Sequence, residues 1–159
     1  MRVNANEKVI ISEIKFEDIV GIYNLGNKLF TSDKWSNLYR TWDEYEIIER
    51  YISDKEYCLV AKNNKKVVGF ALGALVKKKN NSWTYGYLVW TGISPRFAGF
   101  GIGTKMLKKM AKLFKKAGVK IILADTSTEN AKALSFFRRN GFEEKEGHVF
   151  LAKNTSKTK

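Results

Sequence analysis

The stretch ISPRFAGFGIGT, residues 93–104, is the most informative part of this 159-residue sequence. It follows an apolar segment, contains the single proline, Pro95, and leads into a long amphipathic segment. Glycines at alternate positions, Gly99, Gly101 and Gly103, let backbone N–H groups approach a ligand without interference from Cβ atoms. A helix that begins there adds the partial positive charge of its N-terminus. The stretch therefore predicts a strand, a phosphate-binding turn and a helix.

The spacing distinguishes this turn from two common nucleotide-binding motifs. The dinucleotide fingerprint G-x-G-x-x-G would require a glycine at Thr104, and no Lys followed by Ser or Thr stands where a Walker loop needs it. A tight strand-to-helix connection that binds no ligand is the alternative interpretation.

The flanking residues predict a chain of mixed α and β structure, with runs of strands before the central helix and a βαβ-like passage after it. Asn63-Asn64 is typical of a hairpin turn, and Gly118 and Gly141 are placed to end helices. The predicted strands are Val9–Ile14, Tyr57–Lys62, Lys66–Leu75, Trp83–Ser94, Lys120–Thr126 and Val149–Leu151. The predicted helices are Lys15–Lys28, Asp43–Ile52, a long helix from Gly103 to Ala117, and Asn130–Asn140.

Composition excludes several classes of protein. One cysteine and one histidine are too few for a disulfide framework or a structural zinc site, and Cys58 stands among apolar strand residues where burial is expected. The chain has no apolar run long enough to span a bilayer and no signal-peptide pattern, so we expect a soluble cytoplasmic protein without a membrane partner. Residues 154–159 are polar and predict a flexible tail.

The formal net charge of +13 favours anionic partners without choosing among them. In the long helix the lysines alternate with an apolar stripe, which predicts a solvated basic face. A nucleic-acid footprint is the less favoured interpretation of the same residues. These lysines are Lys105, Lys108, Lys109, Lys112, Lys115 and Lys116.

A second stretch, NAKALSFFRRNGF at residues 130–142, predicts an N-capped helix with a glycine stop. Together, the two stretches resemble the GNAT superfamily of acyl-CoA-dependent N-acetyltransferases, whose turn reads V-x-P-x-x-R-G-x-G-I-G and whose later helix reads N-x-x-A-x-x-F-Y-x-x-x-G-F. The first pattern is matched by Ile93, Pro95, Gly99, Gly101, Ile102 and Gly103, and the second by Asn130, Ala133, Phe136, Gly141 and Phe142.

The resemblance implies a single acetyltransferase domain over residues 1–153, with a mixed, mostly antiparallel central sheet flanked by helices. It also implies acetyl-CoA as cosubstrate and no metal, with the pantetheine lying along residues 91–93 and the pyrophosphate on the amides of residues 99–104. Gly92 would then form a kink or bulge beside the ligand. The implied coenzyme contacts are Thr91, Gly92, Ile93, Arg96, Ala98, Gly99, Phe100, Gly101, Ile102, Gly103, Thr104, Asn130 and Phe136.

Three departures from the family pattern bear on catalysis. Ala98 stands where Arg or Gln is usual, and Phe137 replaces a tyrosine that commonly protonates the departing thiolate. No carboxylate occurs from Ser82 to Ser94, where some members carry a glutamate base. Asp125, at the end of the next strand, is the nearest substitute, with Tyr87 to orient the acceptor or relay a proton. The alternative role for Asp125 is to cap the turn that follows it.

The acceptor is predicted to be an amine of a small molecule or a protein, and the net charge favours an acidic or neutral one. Aromatic residues interleaved with polar ones are expected to wall its site: Trp35, Tyr39, Trp42 and Tyr85. A homodimer is compatible with these expectations. Two alternatives remain, a catalytically silent acyl-CoA binder or sensor and a basic nucleic-acid-binding module.

Overall fold

Five strands and four α-helices make up the part of the chain that the computed structural model describes, which is residues 8–31, 42–77, 83–145, 147, 149 and 151. The strands are β1 (Val9–Glu13), β2 (Cys58–Asn63), β3 (Lys66–Lys77), β4 (Thr84–Ile93) and β5 (Ile121–Ala124). The helices are α1 (Ile19–Leu29), α2 (Glu44–Asp54), α3 (Ile102–Lys116) and α4 (Ala131–Arg139). Met1–Asp125 and Thr126–Lys159 form two compact units, and α4 belongs to the second.

The predicted strands and helices up to residue 140 are confirmed to within a few residues, and one predicted strand is wrong. The β2–β3 hairpin turns at Asn64 and Lys65, whose φ angles of 46° and 68° are those of a tight left-handed turn. Val149 and Leu151 lie in no strand and are largely exposed, and Phe150 between them lies outside the described residues. Three residues with one apolar alternation are too short a pattern to specify a strand without a partner. The predicted tail at 154–159 lies outside the described residues.

The sheet has the strand order β1-β2-β3-β4-β5. The first four strands pair antiparallel, and β5 pairs parallel to β4 after the chain crosses over through α3. This arrangement confirms the mixed, mostly antiparallel sheet.

Helices cover both faces of the sheet. On one face, α1 and α2 bury Ile22 and Ile47 against Phe70, Leu72 and Trp90. On the other face, α3 packs Phe114 so closely on β4 that a Cβ at Gly86 would lie 2.7 Å from its ring. Cys58 is fully buried in the core of the first face, as expected. The two faces are called here the α1/α2 face and the α3 face.

A bulge in β4 changes which residues face α1 and α2. Leu72 pairs with Trp90, but its neighbour Gly73 pairs with Leu88, so Val89 is an extra residue in β4. Of the two roles expected of Gly92, a kink or a bulge, the bulge is therefore wrong. Gly92 pairs regularly with Phe70, and a Cβ there would lie 2.5 Å from Leu29 Cδ1, so the position needs glycine because α1 packs against it.

A buried carboxylate ties α2 to the sheet. Asp54 Oδ1 accepts a hydrogen bond from the Leu75 N–H at 3.0 Å, and Asp54 Oδ2 accepts one from Arg50 Nη1 at 3.0 Å. Asp54 is 9% exposed, so a protein donor and a cation replace the water that its charge would otherwise need. These contacts hold α2 in a defined position over β3.

Candidate active site

The glycine turn ends in a helix N-terminus that is fixed by its own core packing. Gly99 and Gly101 have φ angles of +84° and +73°, and the Gly101 carbonyl accepts the first hydrogen bond of α3, from the Lys105 N–H at 3.0 Å. Ile102 and Met106 are buried beneath the first turns of the helix. The turn therefore has a defined backbone conformation before any ligand binds.

The space around the turn suits a pyrophosphate. Among the described residues, and apart from the two chain neighbours, no atom lies within 4 Å of the position that a Cβ would take at Gly99 or Gly101. The first N–H groups of a helix have no intrahelical acceptor, and the first turn of α3 carries no acidic residue to occupy them. An anion placed beside Gly103 and Thr104 would meet free donors and the positive end of the helix dipole.

The second half of β4 has an open edge beside the turn. The parallel β5 ends at Ala124, opposite Leu88, so no strand among the described residues pairs with Thr91–Ile93 on that side. The Ser94 N–H donates to the Val68 carbonyl at 2.8 Å. The alternation of an antiparallel ladder therefore directs the main-chain N–H and C=O groups of Thr91 and Ile93 away from β3, towards the open edge. An extended molecule can pair there as an added strand.

Two cations lie beside the start of the turn. Arg96 is exposed and lines a shallow cavity of about 170 Å³ together with Lys66. Ala98, where the family pattern carries Arg or Gln, is also exposed. Arg96 and Lys66 add positive potential to the same end of the sheet as the glycine turn.

Tyr87 and Asp125 come together at the end of the β4–β5 pair. The Tyr87 hydroxyl donates a hydrogen bond to Asp125 Oδ1. Gly86 faces Phe114, so by alternation Tyr85 and Tyr87 lie on the α1/α2 face. The ring of Tyr85 stacks on Trp83 with a centroid separation of 6.3 Å.

The aromatic residues predicted to wall the acceptor site fall in different places. Trp42 is 8% exposed and stacks on Phe70 with centroids 5.3 Å apart, so it belongs to the core of the α1/α2 face. Tyr85 is partly exposed on β4. Trp35 and Tyr39 lie outside the described residues.

One carboxylate near β4 was missed by the sequence analysis. Glu46 of α2 accepts a hydrogen bond at its Oε2 from Trp90 Nε1, at 2.8 Å. The two residues are 44 positions apart, and no local pattern links them. Only a pairing of α2 with β4, which depends on the tertiary fold, could have pointed to this contact.

The second unit confirms the predicted capped helix. Asn130 Oδ1 accepts from the Ala133 N–H at 3.1 Å, and Asn130 Nδ2 donates to Thr126 Oγ1 at 3.2 Å. Phe136 is partly buried and meets Phe137 edge to face. Phe137 also packs on Phe142, which gives the phenylalanine at the family's tyrosine position a packing role.

These features carry the pattern of a known family, and a family model described as acetyltransferase (GNAT) family matches residues 22–142. The chain belongs to the GNAT acetyltransferase family. An uncharacterized N-acetyltransferase of Methanocaldococcus jannaschii, MJ1207, is 30% identical over 122 residues, which are 74% of this chain and 49% of that protein. The chain spans about half the length of the curated relatives it matches.

Solved structures share the GNAT fold. The aminoglycoside acetyltransferase AAC(6')-Iy, in complex with a CoA–acetylneamine bisubstrate analogue, superimposes with a TM-score of 0.73 at 18% identity, covering 92% of this chain and 99% of that one. Arabidopsis thaliana Naa50, in complex with the analogue CoA-Ac-MVNAL, gives a TM-score of 0.69 at 23% identity over 87% of this chain and 85% of that one. At these identities the likeness is one of fold.

The described residues contain neither a membrane-crossing helix nor a cluster of metal ligands. No helix within them is long and apolar enough to cross a membrane. Across the same residues, no three His, Cys, Asp or Glu side chains are grouped so that they could hold a metal ion.

Proposed function

We propose that this GNAT protein is an N-acetyltransferase that moves the acetyl group of acetyl-CoA directly to the amine of an acceptor. The observation that carries the proposal is the continuity of two backbone features, the open β4 edge at Thr91–Ile93 and the glycine turn at the start of α3. Together they suit a ligand with an amide-bearing arm and a pyrophosphate, which is the chemistry of coenzyme A. Acceptors named for its structural neighbours, an aminoglycoside and a peptide, support an amine as the acceptor.

The chemistry requires an amine to reach a thioester and lose a proton. Acetyl-CoA supplies an acetyl group whose carbonyl carbon accepts the amine's lone pair as the C–S bond breaks and the thiolate leaves. A thiol has an ordinary pKa of about 8.5, so the thiolate can leave without a proton donor where Phe137 replaces tyrosine. Tyr87 and Asp125 can take the amine proton by relay: the proton passes to Tyr87 Oη as the phenolic proton moves to Asp125 Oδ1.

Thermal melting across an acetyl-CoA titration tests coenzyme binding, with dephospho-CoA and ATP as controls. A ligand at 100 times its dissociation constant stabilises the native state by about 2.7 kcal/mol. A selective rise of the melting temperature with acetyl-CoA is expected. A cooperative melt that does not shift at saturation would leave the glycine turn as a connection only and would remove the basis of the proposal.

The Tyr87→Phe variant tests the proton relay. We expect kcat to fall by about 10²-fold, the lower end of the range for general acid–base groups, with the KM for acetyl-CoA unchanged. Tyr85→Phe, two residues away on the same face of β4, is the matched control: it keeps the ring that is predicted to wall the acceptor site, so its kcat should fall far less than that of Tyr87→Phe. Equal rates for the two variants would remove Tyr87 from the mechanism.

A catalytically silent acyl-CoA binder is the second candidate. Phe137, which packs between Phe136 and Phe142 and cannot donate a proton, favours it. Acetyl-CoA binding without acetylation of any amine in a broad panel would establish this candidate.

A further inference from the structure

The bulge at Val89 brings Tyr87 and Trp90, one on each side of it, to the same face of β4. Gly86 faces Phe114 of α3, and Leu88 pairs with Gly73, which also faces Phe114, so the alternation of the strand places Tyr87 on the α1/α2 face. Trp90 also lies on that face, in the core formed with Leu72 and Ile47. Without the extra residue, positions 87 and 90 would point to opposite faces. Both therefore flank the bulge from the same side.

Each of these side chains donates a hydrogen bond to a carboxylate. Tyr87 donates to Asp125, and Trp90 donates to Glu46 Oε2 at 2.8 Å. The Trp90 ring is 5% exposed and packs on Phe30 and Trp42, with centroids 4.8 and 5.2 Å away. Because the indole is held by the core, its N–H fixes where the Glu46 carboxylate lies.

Glu46 lacks the neighbouring cation that the two buried carboxylates, Asp18 and Asp54, have. Asp18 pairs with Lys62 at 2.8 Å, and Asp54 pairs with Arg50 at 3.0 Å. Glu46 is itself half-buried, and no Lys or Arg among the described residues lies within ion-pair distance of it. A carboxylate can accept about four hydrogen bonds, and Trp90 supplies one. Glu46 therefore has both charge and acceptor capacity left for a cation.

We propose that Glu46 binds the ammonium group of the acceptor and holds it against the Val89 bulge, on the face of the sheet that carries Tyr87. The bound ammonium loses one proton to solvent to become a nucleophile, and as the C–N bond forms it loses a second proton to the Tyr87–Asp125 relay. This inference rests on the proposed function and names the substrate class, an acceptor that carries an ammonium group. The Glu46 carboxylate can favour a cation at the acceptor site although the net charge of the chain is +13, because exposed charges farther than about 8 Å away are largely screened at physiological salt.

Steady-state kinetics with three amine probes test the proposal. Two probes are cations at pH 7, the aminoglycoside sisomicin and the peptide Met-Val-Asn-Ala-Leu, and the third, aniline, is uncharged. Glu46→Gln keeps an oxygen for Trp90 and removes only the charge. We expect the KM for the cationic probes to rise about tenfold or more, and the KM for aniline and for acetyl-CoA to change by less than about twofold. Glu44→Gln, an exposed acid in the same turn of α2, is the matched control.

The outcomes separate this inference from the proposed function. Acetylation of any probe supports the proposed function. A wild-type protein that does not prefer cations, or a Glu46→Gln variant that loses cationic and uncharged probes equally, would overturn the role of Glu46. The melting-temperature rise with acetyl-CoA should be the same in both variants, and a loss of that rise in Glu46→Gln would reduce Glu46 to a structural residue.

Discussion

Glycines in the strands and glycines in the turn are used in opposite ways. In β3 and β4, a Cβ at Gly73, Gly86 or Gly92 would come within 2.5–2.7 Å of a neighbouring atom. In the turn, Gly99 and Gly101 adopt positive φ angles, and a Cβ at either would have no atom of the described residues within 4 Å beyond its chain neighbours. The strand glycines let helices approach the sheet, whereas the turn glycines leave room beside the backbone. The same residue type therefore marks the core in one region and the proposed coenzyme site in the other.

The strongest test of this contrast is Gly101→Asp. A carboxylate beside the N-terminal amides of α3 would occupy the donors and repel a pyrophosphate, so we expect affinity for acetyl-CoA to fall by about 100-fold or more. Isothermal titration calorimetry measures the change. Gly118→Asp, with φ of +80° at the other end of α3, is the control and should bind acetyl-CoA normally. Unchanged affinity in Gly101→Asp would mean that the coenzyme binds elsewhere.

A large effect on stability is expected from Gly86→Ala. The new methyl would lie 2.7–2.8 Å from three ring atoms of Phe114, so the core must shift or strain. Overpacking of this kind costs about 1–3 kcal/mol. Each kcal/mol should lower the melting temperature by about 2–4 °C, as calorimetry would show, with the acetyl-CoA response of the folded protein retained. Adding Phe114→Leu should restore part of the loss, and no restoration would contradict the packing argument.

A smaller effect is expected from Gly118→Ala. Its positive φ is unfavourable for alanine, and the site has open space, so the cost is conformational and about 1 kcal/mol. Thermal melting should show a slight decrease, while the shift produced by acetyl-CoA stays at its wild-type size. A weakened acetyl-CoA response would show that positive φ glycines act on binding through general stability.

The smallest effect is expected when the native protein is treated with a thiol reagent, because its cysteine, Cys58, is fully buried in the core. Burial is the main cause that raises the pKa of this thiol from its ordinary 9.0 to about 12. The thiol is therefore neutral in the native state, and its stabilising contribution is complete below pH 9 and is lost as pH rises from 9 towards 12. Alkylation by iodoacetamide at pH 8 should follow global unfolding. Rapid labelling of the folded protein would show that the sheet opens locally.

Local patterns account for the elements that were predicted correctly. Alternating apolar residues in β2–β4, the glycine stop of α3 and the Asn130 cap each act within a few residues, so their signals can be read along the chain. Val149–Leu151 failed because so short a strand depends on a partner. The prediction of a bulge at Gly92 was wrong because a bulge is a property of the register between β3 and β4, and that register shifts at Val89.

By itself the sequence determined the order of the helices and strands and the position of the glycine turn before α3. It also showed that a capped helix at residues 130–142 follows that turn along the chain, and the two motifs together indicate the family. The tertiary structure alone decided which residues share a face of the sheet. It placed Tyr87 beside Asp125, 38 residues away, and Trp90 beside Glu46, 44 residues away. Contacts at such separations arise from packing and strand register, which bring together residues whose local patterns carry no information about each other.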